Sequence, residues 1–163
     1  MNYSKIIKND FTAGEGICVS LFVSGCAIHC PGCHNPEAWN EDFGTPFTKS
    51  TVNEILEAIE ANGIQRNLCL MGGDPFYSGN DLILVRLINV VKEKYPNIKI
   101  YAWTGYTYEY LINSPRPTYS ALLERVDYLI DGPYIQEQRD ITLKMRGSRN
   151  QRILHLKDGK IVN

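Results

Sequence analysis

Several features are scarce or missing in this sequence, and each absence narrows what the chain can be. No stretch approaches the roughly 20 consecutive apolar residues that a membrane-spanning helix needs. The first ten residues, MNYSKIIKND, lack the apolar core of a secretory signal. Neither charge sign is in surplus. The 17 Lys and Arg face 18 Asp and Glu, for a net charge of −1, which leaves no broad electrostatic case for nucleic-acid binding. No repeat or low-complexity segment interrupts the chain. These absences predict a cytoplasmic protein that uses neither a membrane nor a nucleic acid as partner, in a compartment where thiols stay reduced. With 163 residues, 44% hydrophobic and 21% charged, the chain has the size and composition of one globular domain over residues 1–163.

Cysteine is modest in number but concentrated. Three of the five sit in the run Ser24, Gly25, Cys26, Ala27, Ile28, His29, Cys30, Pro31, Gly32, Cys33, His34, Asn35. The spacing is C-x3-C-x2-C, with no fourth cysteine nearby. Three thiolates in one short loop can hold three irons of a cubane and leave the fourth open to a ligand that is not protein. Three other readings compete with this one. Cys30-Pro31-Gly32-Cys33 is a literal C-x-x-C redox dithiol, but that leaves Cys26 without a role. Structural zinc would take His29 or His34 as fourth ligand, yet zinc modules often present two separated ligand pairs rather than one tight loop. Three unliganded cysteines would be a coincidence of spacing. The favoured reading is a [4Fe–4S] cluster on Cys26, Cys30 and Cys33. Gly25 and Gly32 would let backbone N–H groups approach the sulfurs and tune the reduction potential. Cys18 and Cys69 fall inside predicted strands and read as small buried apolar residues.

Apolar runs alternate with amphipathic stretches along the chain. Residues 17–23, 68–71, 98–103, 126–130 and 152–156 read as strands. Val52, Ile55, Leu56 and Ile59 form one helical face behind an N-cap at 49–51, and Asn62-Gly63 closes that helix. A second helix is predicted at about 81–95, and short helices at 107–112 and 118–125. Strands separated by helices imply βαβ units and a parallel sheet. A closed eight-fold barrel usually needs about 250 residues. The predicted fold is therefore α/β, an open partial (β/α) barrel with a mostly parallel sheet of five or six βα units. The polar and Gly-rich pieces all follow strands, so residues 26–33, 72–74, 104–106 and 131–133 are expected on one rim, where such folds bind ligands. Gly72-Gly73-Asp74-Pro75 also reads simply as a tight turn. The basic run Lys144, Arg146, Arg149, Arg152 suits an anionic ligand or partner, or equally a solvated loop.

C-x3-C-x2-C after a first strand resembles the signature of the radical S-adenosylmethionine enzymes. Met71-Gly72-Gly73-Asp74-Pro75 after a second strand resembles that superfamily's Gly-Gly-Glu motif, with Asp in place of Glu. The position before the third cysteine is usually aromatic there and packs near the adenine. Here it is Gly32, and Cys30-Pro31-Gly32-Cys33-His34-Asn35 resembles the loop of anaerobic ribonucleoside-triphosphate reductase activating proteins. Trp103-Thr104-Gly105-Tyr106-Thr107, Leu129-Ile130-Asp131-Gly132-Pro133-Tyr134, Arg146-Gly147-Ser148-Arg149-Asn150-Gln151-Arg152 and Phe11-Thr12-Ala13-Gly14-Glu15-Gly16 agree with that subfamily, so the resemblance covers nearly the whole chain.

The resemblance implies a glycyl-radical activase. Cys26, Cys30 and Cys33 would bind a [4Fe–4S] cluster and be catalytic through it. The open iron would bind the amino and carboxylate groups of S-adenosyl-L-methionine. Gly32, Cys33 and His34 would line the cofactor, with Gly73 and Asp74 at its methionine part. A flavodoxin or ferredoxin-type donor would reduce the cluster. Cleavage of the cofactor would give methionine and a 5′-deoxyadenosyl radical, which would take a hydrogen atom from a glycine of the reductase large subunit. Thr104 and Asp131 are further rim candidates for polar contacts to the cofactor. Tyr106, Tyr108 and Tyr110 read mainly as packing residues, and His155 as structural. The alternatives are an activase of another glycyl-radical enzyme, of the pyruvate formate-lyase type, or a non-catalytic metal-binding regulator.

Overall fold

The unbroken apolar runs become the centre of one eight-stranded sheet. The structure is a computed structural model and describes residues 1–162. Its strands are β1 (Asn2–Asp10), β2 (Cys18–Val23), β3 (Thr45–Pro46), β4 (Asn67–Gly72), β5 (Ile100–Trp103), β6 (Tyr128–Asp131), β7 (Arg152–Lys157) and β8 (Lys160–Ile161). The helices are α1 (Lys49–Ile59), α2 (Asn80–Lys94), α3 (Tyr108–Ile112) and α4 (Pro117–Leu123). Strand order is β3-β1-β2-β4-β5-β6-β7-β8, and the sheet is open. Among the described residues no helix is long and apolar enough to cross a membrane.

The pairing is mixed. β2, β4, β5 and β6 run parallel, and the four remaining pairings are antiparallel. The parallel part is thus smaller than the five or six βα units expected. Parallel neighbours need a long crossover, usually a helix. α1, α2 and the α3–α4 pair supply three such crossovers. The short link 11–17 cannot, so β1 and β2 pair as an antiparallel hairpin. The link 132–151 contains no α-helix, only the 3-10 turn Gln136–Gln138, and β7 returns antiparallel to β6.

The two faces of the sheet differ. Side chains alternate across each strand, and Val19, Leu21, Val23, Leu68, Leu70, Ile100, Ala102 and Leu129 pack into one core with all four helices. Each fully buried Val, Leu or Ile among them contributes about 1.5–3 kcal/mol. α1 begins one turn earlier than its apolar stripe, because the Thr51 hydroxyl accepts the Thr48 backbone N–H at 3.1 Å. The opposite face carries Cys18, Cys69, Tyr101 and Ile130, packed with Ala13, Met71, Trp103, Tyr128 and Met145. Two non-helical segments cover it. The first, 11–16, is anchored by the buried Asp10 carboxylate, which accepts from the Thr12 N–H (2.9 Å), the Thr12 hydroxyl (2.8 Å), the Ala13 N–H (3.2 Å) and the Ser20 hydroxyl (2.7 Å). The second is a hairpin-like flap closed by the Arg139–Ser148 bridge and tied down where Trp103 Nε1 donates to the Met145 carbonyl at 2.7 Å.

Candidate functional site

Strand register brings the glycine-rich segments and the cysteine loop together. Val23 pairs with Gly72, Leu70 with Ala102, and Trp103 with Ile130, so the parallel strands end nearly level. Beyond the ends, the cysteine loop and the Gly-Gly-Asp turn are bonded backbone to backbone. Gly73 N–H donates to the Val23 carbonyl (2.7 Å), Asp74 N–H to Gly25 (2.8 Å), and Gly25 N–H to Ala38 (2.8 Å). A Cβ on Gly73 would lie 2.5 Å from the Gly25 oxygen and 2.8 Å from the Ala38 oxygen, both backbone atoms. Only glycine allows that approach. Ile28, in the middle of the loop, rests on Gly105, where a Cβ would meet its Cγ1 at 2.8 Å.

Cys26, Cys30 and Cys33 are all half-buried and line one cavity of about 680 Å3. That volume lies in the range of small-molecule sites. His34, Gly72, Gly73, Asp74 and Thr104 share the wall. Burial pushes the Cys26 and Cys30 thiols above the usual thiol range, so an approaching cation is what would draw out their thiolates. Asn35 N–H donates to Cys33 Sγ at 3.4 Å, the kind of contact that tunes a ligating sulfur. His29 is outside the wall, its ring stacked on Trp39 at 4.6 Å. Among the described residues no three His, Cys, Asp or Glu side chains gather around a single-ion site. Gly32 has φ +75°, and a Cβ there would run into the Gln136 side-chain oxygen. Gly32 itself lies off the cavity wall, where the rings beside the third cysteine are His34 and Tyr134, edge to face at 5.8 Å.

Asp74 is 1% exposed. Its carboxylate accepts from Phe76 N–H (2.8 Å), from the Thr104 hydroxyl (3.0 Å to each oxygen) and from Gly105 N–H (3.0 Å). Burial outweighs these bonds and raises its pKa to about 6. The side chain thereby ties the end of β4 to the end of β5. Thr104 lines the cavity beside it.

Asp131 lies elsewhere. It is buried, but it accepts from Tyr108 N–H (2.7 Å) and Arg152 Nε (2.9 Å), and Gly132 takes its place on the cavity wall. Arg152 stands opposite Asp131 in the β6–β7 register and also binds Glu109. Tyr108 is buried with its hydroxyl on the Gly159 carbonyl, Tyr106 stacks on the exposed Tyr110 at 4.9 Å, and His155 stacks on Tyr128 at 4.8 Å. The sequence reading does not single out Asp10, Trp103, Tyr134 or Arg146 as cavity residues, yet all four line it. The available signals were the basic run containing Arg146 and the subfamily-like segments containing Trp103 and Tyr134.

Residues 12–154 match the family described as 4Fe-4S single cluster domain. Three relatives carry the name anaerobic ribonucleoside-triphosphate reductase-activating protein. That of Enterobacteria phage T4 is 40% identical over 98% of this chain and 97% of its own. That of Vibrio cholerae serotype O1 is 39% identical over 95% and 97%, and that of Escherichia coli K12 is 34% identical over 96% and 100%. On identity at this level over nearly the full length, the chain belongs to the family of anaerobic ribonucleoside-triphosphate reductase-activating proteins.

Proposed function

We propose that this chain activates an anaerobic ribonucleoside-triphosphate reductase by generating a glycyl radical on its large subunit. The cofactors in this reading are a [4Fe–4S] cluster on Cys26, Cys30 and Cys33 and S-adenosyl-L-methionine bound at the open iron. When bound, this pair supplies reductive cleavage of a sulfonium carbon–sulfur bond and, through it, hydrogen abstraction from carbon. The observation that carries the reading is that three cysteines and the Gly72-Gly73-Asp74 turn share one cavity at the strand ends, in a chain of this family.

The residues act by holding and orienting. Burial keeps the Cys26 and Cys30 thiols protonated, and iron binding would displace those protons to solvent as the sulfurs become ligands. Gly73 lets the turn close against the cysteine loop, which would set the turn's backbone beside the methionine amine, and the buried Asp74, held by Thr104, Phe76 and Gly105, would fix that turn and add negative charge nearby. With no side chain at Gly32, His34 is the exposed ring beside the third cysteine that would meet an adenine. The sheet functions as an open partial barrel, one radical S-adenosylmethionine domain over residues 1–163. A rim with no closing strand admits a backbone loop of a protein substrate. A flavodoxin or ferredoxin-type protein in the cytoplasm supplies the electron.

The test is anaerobic incubation of cluster-loaded protein with the reductase, S-adenosyl-L-methionine and a strong reductant. A glycyl doublet in electron paramagnetic resonance is expected, together with 5′-deoxyadenosine. Cys30→Ala abolishes both and lowers iron content. If cluster-loaded protein forms no 5′-deoxyadenosine, the reading fails. If 5′-deoxyadenosine forms but the reductase gains no doublet, the substrate is another protein.

A further inference from the structure

We propose that Arg146 is a cofactor-binding residue whose guanidinium receives the carboxylate of S-adenosyl-L-methionine. The inference rests on the reading above and deepens it.

Among the described residues Arg146 is the one Lys or Arg on the cavity wall, on the flap side of the cavity. Its neighbours fix it in place. Met145, just before it, holds a left-handed φ of +59°, a conformation that persists in a non-glycine residue only when the surroundings enforce it. The Met145 carbonyl is held by Trp103 Nε1. Just after it, the Gly147 and Ser148 N–H groups donate to Gln151 Oε1 at 2.9 and 3.2 Å. The backbone on both sides of Arg146 is therefore pinned.

The side chain is under-used. A guanidinium carries five N–H donors and no acceptor. Arg146 Nη1 donates to the Gln151 carbonyl at 3.0 Å, while its Nε is buried with no partner. Among the described residues no carboxylate forms an ion pair with it. Arg116 and Arg152, by contrast, are paired with Asp81 and with Asp131 and Glu109. The two acids on the same wall do not serve Arg146. Asp10 is occupied by Ser20, Thr12 and Ala13, and Asp74 by Phe76, Thr104 and Gly105. A half-buried cation without a counter-charge is costly, and buried donors are ordinarily satisfied. The missing partner is an anion brought in from outside. S-adenosyl-L-methionine has one anionic group, its carboxylate, and a carboxylate that gives one oxygen to a metal keeps the other for a guanidinium.

The experiment measures equilibrium binding to the full-length, cluster-loaded protein under anaerobic conditions. The two ligands are S-adenosyl-L-methionine and its decarboxylated analogue. Arg146→Gln is expected to weaken S-adenosyl-L-methionine about 10-fold or more, the scale of a lost charge-assisted hydrogen bond. Iron and sulfide content stay unchanged. The same variant binds the decarboxylated analogue as the wild type does, because the interacting pair is already broken. Arg146→Lys, which keeps the charge, recovers part of the loss. Arg149→Gln, on an exposed neighbour, changes neither ligand. Wild-type affinity in Arg146→Gln overturns the proposal, as does an equal loss for both ligands, which would mark a structural role. A defect that appears only in binding the reductase would assign Arg146 to a partner's acid and also overturn it. If wild-type protein with a full cluster binds neither ligand, the cofactor reading itself has failed, and that outcome is separate from a failure of Arg146.

Discussion

Asp74 offers a quantitative test of how the rim is built. Its carboxyl is 1% exposed, and burial raises its pKa from the ordinary 3.8 to about 6 in the folded chain. A raised carboxyl favours the protonated native state, so its contribution to stability is fully present below about pH 4 and is lost as pH rises through about 6. The gap between 3.8 and about 6 corresponds to roughly 3 kcal/mol. The titratable groups that feel its charge include Cys26, Cys30, Tyr106 and Tyr119, all four with pKa values pushed upward. They stay neutral through this window, so the titration belongs to Asp74. Asp74→Asn keeps the volume and cannot ionise. It also turns one amide N–H towards donors that now face a carboxylate oxygen, an offset that does not vary with pH. The assay is urea unfolding of cluster-free wild type and Asp74→Asn at a series of pH values. Wild-type stability minus variant stability is expected to fall by about 3 kcal/mol between about pH 4 and pH 7. Carbon-13 labelling of aspartate should show one carboxyl, absent in the variant, titrating near 6. A stability difference that is flat or rises with pH would refute the argument, because it would mean that the hydrogen bonds from Thr104, Phe76 and Gly105 outweigh burial.

Two further outcomes follow from the packing. Gly73→Ala places a methyl 2.5 Å from the Gly25 oxygen and 2.8 Å from that of Ala38. Both oxygens accept backbone bonds that hold the cysteine loop, so the substitution should cost about 1–3 kcal/mol and lower iron retained per chain. An unchanged melting temperature with full iron loading would contradict this. Leu70, 0% exposed between the sheet and the helices, should cost about 2–5 kcal/mol as Leu70→Ala. That loss appears in urea midpoints, with iron loading intact at low temperature. A cost under about 1 kcal/mol would mean that the helix-covered face is less tightly packed than its burial indicates.

The parts legible in the sequence were those with a repeating physical signal. Strands buried on both faces read as continuous apolar runs, which is why β2, β4, β5 and β6 could be placed to within two residues. The rim followed from their polarity, since ligand-facing segments lie beyond the carboxyl ends of parallel strands. β1 carried no such signal. Its Lys5, Lys8 and Asn9 break the apolar pattern because most of that strand is only half-buried. Asp131 was misleading for another reason. An acid at a strand end looks like a ligand, but its Arg152 partner is identified only by the antiparallel register of a strand 21 residues on. The run Arg146 to Arg152 was also ambiguous. Its polar side chains serve two purposes: Asn150 Nδ2 donates to the Pro133 carbonyl (2.7 Å) and Gln151 Nε2 to Gly132 (3.1 Å), and together they fasten the flap. Such bonds span 17 and 19 residues and leave no periodic trace.

The difference between the two sheet faces connects the fold to the proposed chemistry. Three successive crossovers place every α-helix on one face, which leaves the other without a helical layer. That bare face is covered by the 11–16 segment and the flap, the first tied down by the buried Asp10 carboxylate and the second by the Trp103 indole N–H together with Asn150 and Gln151. A closed barrel would fill this space with side chains from opposing strands. Here the same space is a cavity lined at its rim by three thiols and on the flap by one under-used guanidinium. The segment 132–151, which carries no α-helix and from which β7 returns antiparallel, is also what delivers Arg146 to the wall. Incomplete closure of the sheet and the supply of a cationic side chain to the cavity thus have one cause, a connection too irregular to make another parallel crossover.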